Sequence, residues 1–283
     1  MARQTTAQRP FGAFAPDRTL SALIAFARAR GTGWLSRRLA FLARKIGMGR
    51  VRRANRPVDT TVFGSVRMRL YPFHNVAEKR LLFTPQYFDP AERRLLAERL
   101  PKDAVFLDVG ANVGGYALFV ASVTGPDARV LAVEPQPSVH ARLAFNIRAN
   151  PDLPVEAVQA AIADREGEMT LHLSAGNEGE ASLKAEVQRE AGGRTVTVHA
   201  LPMQVLMQRH GISHVDGMKI DVEGAEDMIL VPFFRDADPA LFPRLLVLEN
   251  AQGRWQTDCV ALAEANGYRE VLRTRLNIVL ERA

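Results

Sequence analysis

Val105-Phe-Leu-Asp-Val-Gly-Ala-Asn-Val-Gly-Gly-Tyr116 reads as a buried strand, a glycine turn and the opening of a helix. The apolar run is short, rich in strand formers and ends in an acid, Asp108. Gly110 permits a tight turn, and Gly114 or Gly115 would let a ligand approach the start of the helix. In a doubly wound sheet, ligands bind beyond the carboxyl ends of the strands, where the strand order reverses. The spacing here is Gly110-x-Asn112-x-Gly114-Gly115, so Asn112 takes the place of the second glycine of a dinucleotide fingerprint. Asp108, just before the turn, would repel a pyrophosphate and attract a cation.

Downstream, strand and helix patterns alternate. Strands are expected at 104–109, 129–133, 155–160, 217–220 and 245–248, and helices at 113–123, 138–150, 203–210 and 257–266. Extra strands at 169–173 and 194–199 flank a loop of Gly, Asn and Glu, and 268–274 with 277–281 closes the chain as a hairpin. Such alternation predicts an α/β fold, a mostly parallel sheet with helices on both faces. A second acid, Glu134, ends the strand Arg129-Val-Leu-Ala-Val-Glu134, 26 residues after Asp108. An acid there can accept both ribose hydroxyls. Two strand-end acids in register favour S-adenosylmethionine, which carries an ammonium and a sulfonium and no phosphate, over NAD.

The 283 residues are 47% hydrophobic and 24% charged, which excludes a disordered, collagenous or coiled-coil protein. A single cysteine, Cys259, excludes an intramolecular disulfide framework and points to a cytoplasmic setting. Charge is unevenly placed. Residues 1–56 carry 13 Lys/Arg and one acid, a net of +12, and the remaining 227 carry 24 basic and 30 acidic residues, a net of −6. We therefore divide the chain into a basic helical arm (1–56), a lead-in (57–101) and a main domain (102–283). The arm has helical patterns at 20–29 and 34–46. In the second, Leu35, Leu39, Phe41 and Leu42 form an apolar side opposite Arg37, Arg38, Arg44 and Lys45, and Gly47 and Gly49 end it. The arm would suit an anionic surface, phospholipid or nucleic acid, peripheral to the membrane's inner face; packing of its stripes on the globule is the alternative. In the lead-in, 60–70 alternates as a strand, and Asp89-Pro-Ala-Glu92 resembles a capping box opening a helix that runs to about residue 100.

Five segments together carry a resemblance to a known family. They are Asp108-Val-Gly-Ala-Asn-Val-Gly114, Glu134-Pro135, Asn146-Ile-Arg-Ala-Asn150, Ala161-Ile-Ala-Asp164 and Lys219-Ile-Asp-Val-Glu-Gly-Ala-Glu226. This set resembles the FkbM family of S-adenosylmethionine-dependent methyltransferases over about residues 80–250. The chain departs from the family at His199-Ala-Leu-Pro-Met203, where relatives have an aspartate before the helix. The resemblance implies the class I, Rossmann-like sheet of seven strands, the last antiparallel. It also implies that Asp108, Gly110, Asn112 and Gly114 surround the methionine half of the cofactor, that Glu134 holds the ribose and that Asp164 lies toward the adenine.

Methyl transfer to a hydroxyl needs alignment and a proton acceptor. Asp221 ends the fourth strand and Glu223 follows it, so these two are the expected base or acceptor-orienting groups. Glu226 is expected on a helix surface or in an ion pair. No His/Cys cluster has zinc spacing, but Asp221 with Glu249 and Asn250 could form an oxygen set for Mg²⁺. His74 could line an acceptor pocket. The segment Asp221-Val-Glu-Gly224 lacks the aromatic of nucleobase amino-methylating enzymes and is doubly acidic. It therefore favours O-methylation of a sugar, glycolipid or polyketide-like hydroxyl. The alternatives are a nucleic-acid methyltransferase that uses the arm and a cofactor-binding module without catalysis.

Overall fold

A computed structural model describes residues 6, 9–73, 75–174, 181–184 and 194–282. The amino-terminal part holds α1 (Arg18–Arg28), α2 (Trp34–Ala54), β1 (Val58–Val62), β2 (Val66–Leu70), α3 (Val76–Phe83) and α4 (Pro90–Arg99). The main sheet begins with β3 (Val105–Val109), α5 (Gly115–Val123), β4 (Arg129–Val133), α6 (Pro137–Arg148) and β5 (Val155–Val158). A second sheet follows, from β6 (Ala161–Ile162), β7 (Gly167–Leu173), β8 (Ala181–Ser182) and β9 (Arg194–Leu201). The chain then returns through α7 (Met203–Arg209), β10 (Gly217–Ile220), α8 (Glu226–Asp236), β11 (Leu245–Glu249), α9 (Cys259–Ala265), β12 (Tyr268–Arg273) and β13 (Asn277–Arg282).

The seven strands lie in the order β12-β13-β11-β10-β3-β4-β5, with β13 antiparallel to its neighbours. The order reverses at β3, so the Asp108 turn stands at the switch point. This is the seven-stranded sheet, its last strand antiparallel, that the family resemblance implies. Its strands split their side chains between two cores. Phe106, Val130, Leu245 and Val247 pack with α3 to α6, and Leu107, Val109, Leu246 and Leu248 pack with α7 to α9. Near-continuous apolar strands are what burial on both faces requires.

Several local expectations are corrected. The 60–70 strand is a hairpin whose turn places Phe63 and Gly64 at positive φ. The 155–160 strand ends at Val158, and Ala161–Ile162 joins the second sheet instead. Helix α2 runs past Gly47 and Gly49 to Ala54, because Gly47 lies where the Phe83 ring packs; close packing outweighs glycine's low helix propensity. Its faces are also reversed. Ala40, Ala43, Gly47, Met48 and Val51 are buried, and Leu35, Phe41 and Leu42 are exposed. Asp89 precedes α4 but makes no capping bond; it serves Arg80 and Tyr116 instead. Glu92 is buried and accepts from Thr274 Oγ1 and Asn277 Nδ2 at 2.6 and 2.9 Å.

Helix α3 and the extent of α8 were not legible. Pro232 inside α8 masks its pattern, and α3 is only eight residues long. The arm is anchored to the globule. Leu20, Ile24, Met48 and Val51 join the core that includes Phe83 and Phe106. Arg28 donates to the carbonyls of Thr61 and Leu82 at 2.7 and 3.0 Å. Among the described residues no helix is long and apolar enough to cross a membrane.

Candidate active site

The carboxyl ends of β3, β4, β10 and β11 open on a cavity of about 370 Å³. Its lining includes six acids (Asp89, Asp108, Glu134, Asp221, Glu223, Glu249) against Arg80, Lys219 and Arg254, so the site favours a cation. Three of the non-glycine residues at positive φ, Asp89, Asn112 and Glu223, are on this wall. Backbone strain of this kind persists where surrounding structure fixes it.

Asp108 is buried. Its Oδ2 accepts the backbone N–H of Ala117 at 2.9 Å, and its Oδ1 has no hydrogen-bond partner among the described residues. Burial pushes its pKa up to about 6, opposed by Lys219 and the Ala117 N–H. A buried, unsatisfied carboxylate oxygen is costly alone and well matched to a cationic ligand. Glu134 accepts from the N–H groups of Gln136 and Asn112, both at 2.9 Å, and burial raises its pKa to about 7. Asn112 Oδ1 accepts from Asn75 Nδ2 at 2.7 Å, which ties the turn to the start of α3. The four residues expected around the donor's amino-acid half therefore meet as follows. Asp108, Gly110 and Asn112 line the cavity with Glu134, while Gly114 lies just behind it as the left-handed residue before α5.

The glycines are there for protein packing. A Cβ on Gly110 would lie 1.9 Å from the Asp221 carbonyl oxygen, and one on Gly114 2.9 Å from a Leu143 methyl. A Cβ on Gly115 would meet the Phe88 ring at 3.0 Å. The glycines thus allow β3, β10 and two helices to close around the turn.

Lys219 is the residue the motif reading left without a role. It is paired in register with Asp108 across β3 and β10, so the two side chains leave the same face of the sheet. Its Nζ lies 2.7 Å from Asp221 Oδ2 and 4.8 Å from the centre of the Tyr116 ring. Burial presses its pKa down, but Asp221 and Asp108 outweigh that and the net shift is upward, so it stays an ammonium. The signal was present: a lysine inside the apolar strand Gly217-Met-Lys-Ile220 needs a counter-charge.

Glu249 ends β11. Its Oε1 takes Arg254 at 2.9 Å, and its Oε2 is buried without a partner among the described residues. Burial, with Asp221 and Glu226 nearby, raises its pKa to about 7. Glu223 reaches the cavity wall, with Arg254 at 3.7 Å.

Three further expectations are revised. Asp164 is about half exposed, 3.5 Å from Arg165, and is not among the residues lining either cavity at the cofactor edge. A small apolar recess nearby, lined by Val109, Val133, Ile162, Leu171 and Ile229, shares Gly110, Pro135 and Val222 with the main cavity. Glu226 is buried rather than on a surface. It holds the 222–224 loop through the N–H groups of Val222 and Gly224 and accepts Trp255 Nε1 at 2.6 Å. The three-oxygen metal set is not assembled: the Asn250 amide donates to the Thr274 carbonyl, and the Lys219 ammonium stands on Asp221. Among the described residues no group of three or more His, Cys, Asp or Glu side chains could hold a metal ion. His74 lies outside the described residues.

The methyltransferase FkbM domain matches residues 108–266, more than half of the chain. The chain belongs to the FkbM methyltransferase family.

Three relatives are similar in sequence. They are the AMB antimetabolite synthetase AmbE of Pseudomonas aeruginosa (43% identity over 26% of this chain), the methyltransferase sdnD of Sordaria araneosa (27% over 53%) and the 31-O-demethyl-FK506 methyltransferase FkbM of Streptomyces tacrolimicus (29% over 60%). The chain spans 3%, 65% and 73% of their respective lengths. The asparagines of the FkbM-type segment 146–150 also gain a physical role. Asn146 and Asn150 accept the N–H groups of Arg69 and Arg67, both at 2.8 Å, and so act as a substitute strand along β2. Asn146 Nδ2 also donates to the Val113 carbonyl, which joins the hairpin to the cofactor turn. At the departure from the family, Pro202 precedes α7 and provides no side-chain cap.

Proposed function

We propose that this FkbM-family protein transfers the methyl group of S-adenosylmethionine to a hydroxyl of a small molecule, of the sugar, glycolipid or polyketide class. When bound, S-adenosylmethionine supplies an activated methyl on a positively charged sulfur. The residues fit that donor: Asp108 Oδ1 offers an unsatisfied carboxylate oxygen for its ammonium, and Glu134, on the same cavity wall, would hold its ribose. The observation that carries the hydroxyl reading is Glu249. A carboxylate with one unpartnered oxygen and a pKa of about 7 is matched to removing a hydroxyl proton near neutral pH. Held there, the donor would give its methyl to the acceptor oxygen with its sulfur as the leaving group that keeps the bond's electrons, and Glu249 Oε2 would take the hydroxyl proton. Asp221, already engaged by Lys219, orients the acceptor, with Glu223 on the adjoining wall.

Calorimetry with S-adenosylmethionine is the first test. Micromolar binding by the wild type that disappears in Asp108→Ala is the expected result, and undetectable wild-type binding overturns the reading. Transfer of isotopically labelled methyl to a panel of hydroxyl compounds, read by mass spectrometry, tests the acceptor class. Labelling on nitrogen alone would replace the hydroxyl assignment.

A further inference from the structure

The outer face of α2 is built in reverse. Its inward side carries small residues, Ala40, Ala43 and Gly47, beside Met48 and Val51, and the small ones let the helix press on α1 and on the Phe83 ring. The large apolar side chains point outward: Trp34 is 68% exposed, Leu35 61%, Leu42 54%, Ile46 53% and Phe41 40%. At 3.6 residues per turn they share an arc of roughly 140°. Arg38, Lys45, Arg52 and Arg53 lie in that same arc, and among the described residues none has an acidic partner within 4 Å. Arg38 lies over the Trp34 ring at 4.1 Å and Arg44 over Phe41 at 4.6 Å. Just past α1, Arg30 lies over Phe26 of that helix, itself 42% exposed, at 4.0 Å.

We infer that this face of α2 docks on a bilayer containing anionic phospholipid. Aromatic and aliphatic side chains on an exposed basic helix match the two layers they would meet, acyl chains below and phosphates above. A guanidinium stacked on an indole or phenyl ring is weakly hydrated and keeps its donors for phosphate. The choice of occupant follows from charge. Residues 1–56 carry a net of +12, so two copies of this face repel one another. A nucleic acid would satisfy the arginines but would leave Leu35, Leu42 and Ile46 in water. Behind the docked face the arm rests on the cavity wall: α3 meets the inward side of α2 through Phe83 and Arg28 of α1 through the carbonyls of Leu81 and Leu82, and it lines the cavity with Val76, Ala77, Arg80 and Leu81.

The inference is independent of methyl transfer and is tested with the full chain. Vesicles of phosphatidylcholine alone, or with phosphatidylglycerol, are floated with the wild type, with Leu35→Ser/Phe41→Ser/Leu42→Ser/Ile46→Ser, and with Arg38→Glu/Lys45→Glu. All substituted residues are surface-exposed, so circular dichroism, melting temperature and S-adenosylmethionine affinity should stay as in the wild type. The wild type is expected to float only with the anionic vesicles and to lose that binding at high salt. Each variant should bind at least about tenfold more weakly. Wild-type fluorescence should shift to the blue on anionic vesicles, and Trp34→Phe should remove the shift. Three results overturn the inference: no flotation of the wild type, serine-variant binding equal to the wild type (adsorption by charge alone), or a solution dimer that the serine substitutions dissociate.

Discussion

At the residue scale, the acids at the strand ends oppose stability as much as they serve binding. Asp108 has a folded pKa of about 6, above the ordinary value of 3.8, so the folded state binds more protons than the unfolded one between those values. Its contribution to stability therefore falls as pH rises from about 4 through 6. Asp108→Asn keeps the shape and removes the buried charge. Thermal unfolding at pH 8 should show the variant more stable than the wild type by about 1–3 kcal/mol, with donor binding lost in calorimetry. The converse, a less stable variant that still binds, would remove Asp108 from the donor site. Glu249 gives a second prediction. With saturating donor, wild-type turnover should rise with pH through about 7, as the Glu249 carboxyl ionises. Glu249→Gln should lower kcat by about 10²–10⁴-fold and abolish that limb, with donor affinity unchanged. Asp108 and Glu134 were readable because an acid closing an apolar strand marks a ligand edge. Lys219 was readable as a buried charge in need of a partner, but its partners were not, because alternation says that a side chain is buried and not which side chains in the neighbouring strands face it.

At the element scale, the alternating strands and helices of the main sheet were legible because each strand is a compact apolar run bounded by turn residues. Periodicity failed where packing depended on size rather than polarity. In α2 the pattern marks large apolar residues as the inner face, yet Gly47 and the alanines win that place because only they admit Phe83 and α1 at close range. A Cβ at Gly47 would lie 2.4 Å from the Phe83 ring, which is fully buried and has no room to turn away. Alanine would gain about 1 kcal/mol of helix propensity, but overpacking a buried ring costs about 1–3 kcal/mol or more. Gly47→Ala should therefore lower the melting temperature in calorimetry, against the direction that propensity alone dictates. An unchanged or raised melting temperature would mean that α2 is held more loosely than its packing implies.

At the scale of the whole molecule, the overall charge of +6 describes no real part of the protein: a basic arm is fastened to a mildly acidic globule. The arm's chemistry was legible in its composition. Its attachment was not, because the contacts that make it span tens of residues. Arg69 is buried with Asp59, Nε to Oδ1 at 2.7 Å and Nη2 to Oδ2 at 2.9 Å. The same guanidinium donates to the carbonyls of Arg9 and Pro10, and Asp59 accepts the N–H groups of Gly12 and Phe14. One ion pair therefore fastens the first turns of the chain to the β1–β2 hairpin. Replacing Asp59 with alanine leaves a buried guanidinium unpaired, a loss of about 3–5 kcal/mol, which is a large share of the 5–15 kcal/mol that holds a typical domain folded. Asp59→Ala should melt well below the wild type, and limited proteolysis should cut the segment around residues 9–16 first. The two-residue exchange Asp59→Leu/Arg69→Met removes both charges together and should recover much of the lost stability. It would not restore protection of the amino-terminal segment, whose carbonyls lose the guanidinium that held them. Equal protection of that segment in both variants and the wild type would show that the apolar contacts of α1 and α2, rather than this pair, hold the start of the chain.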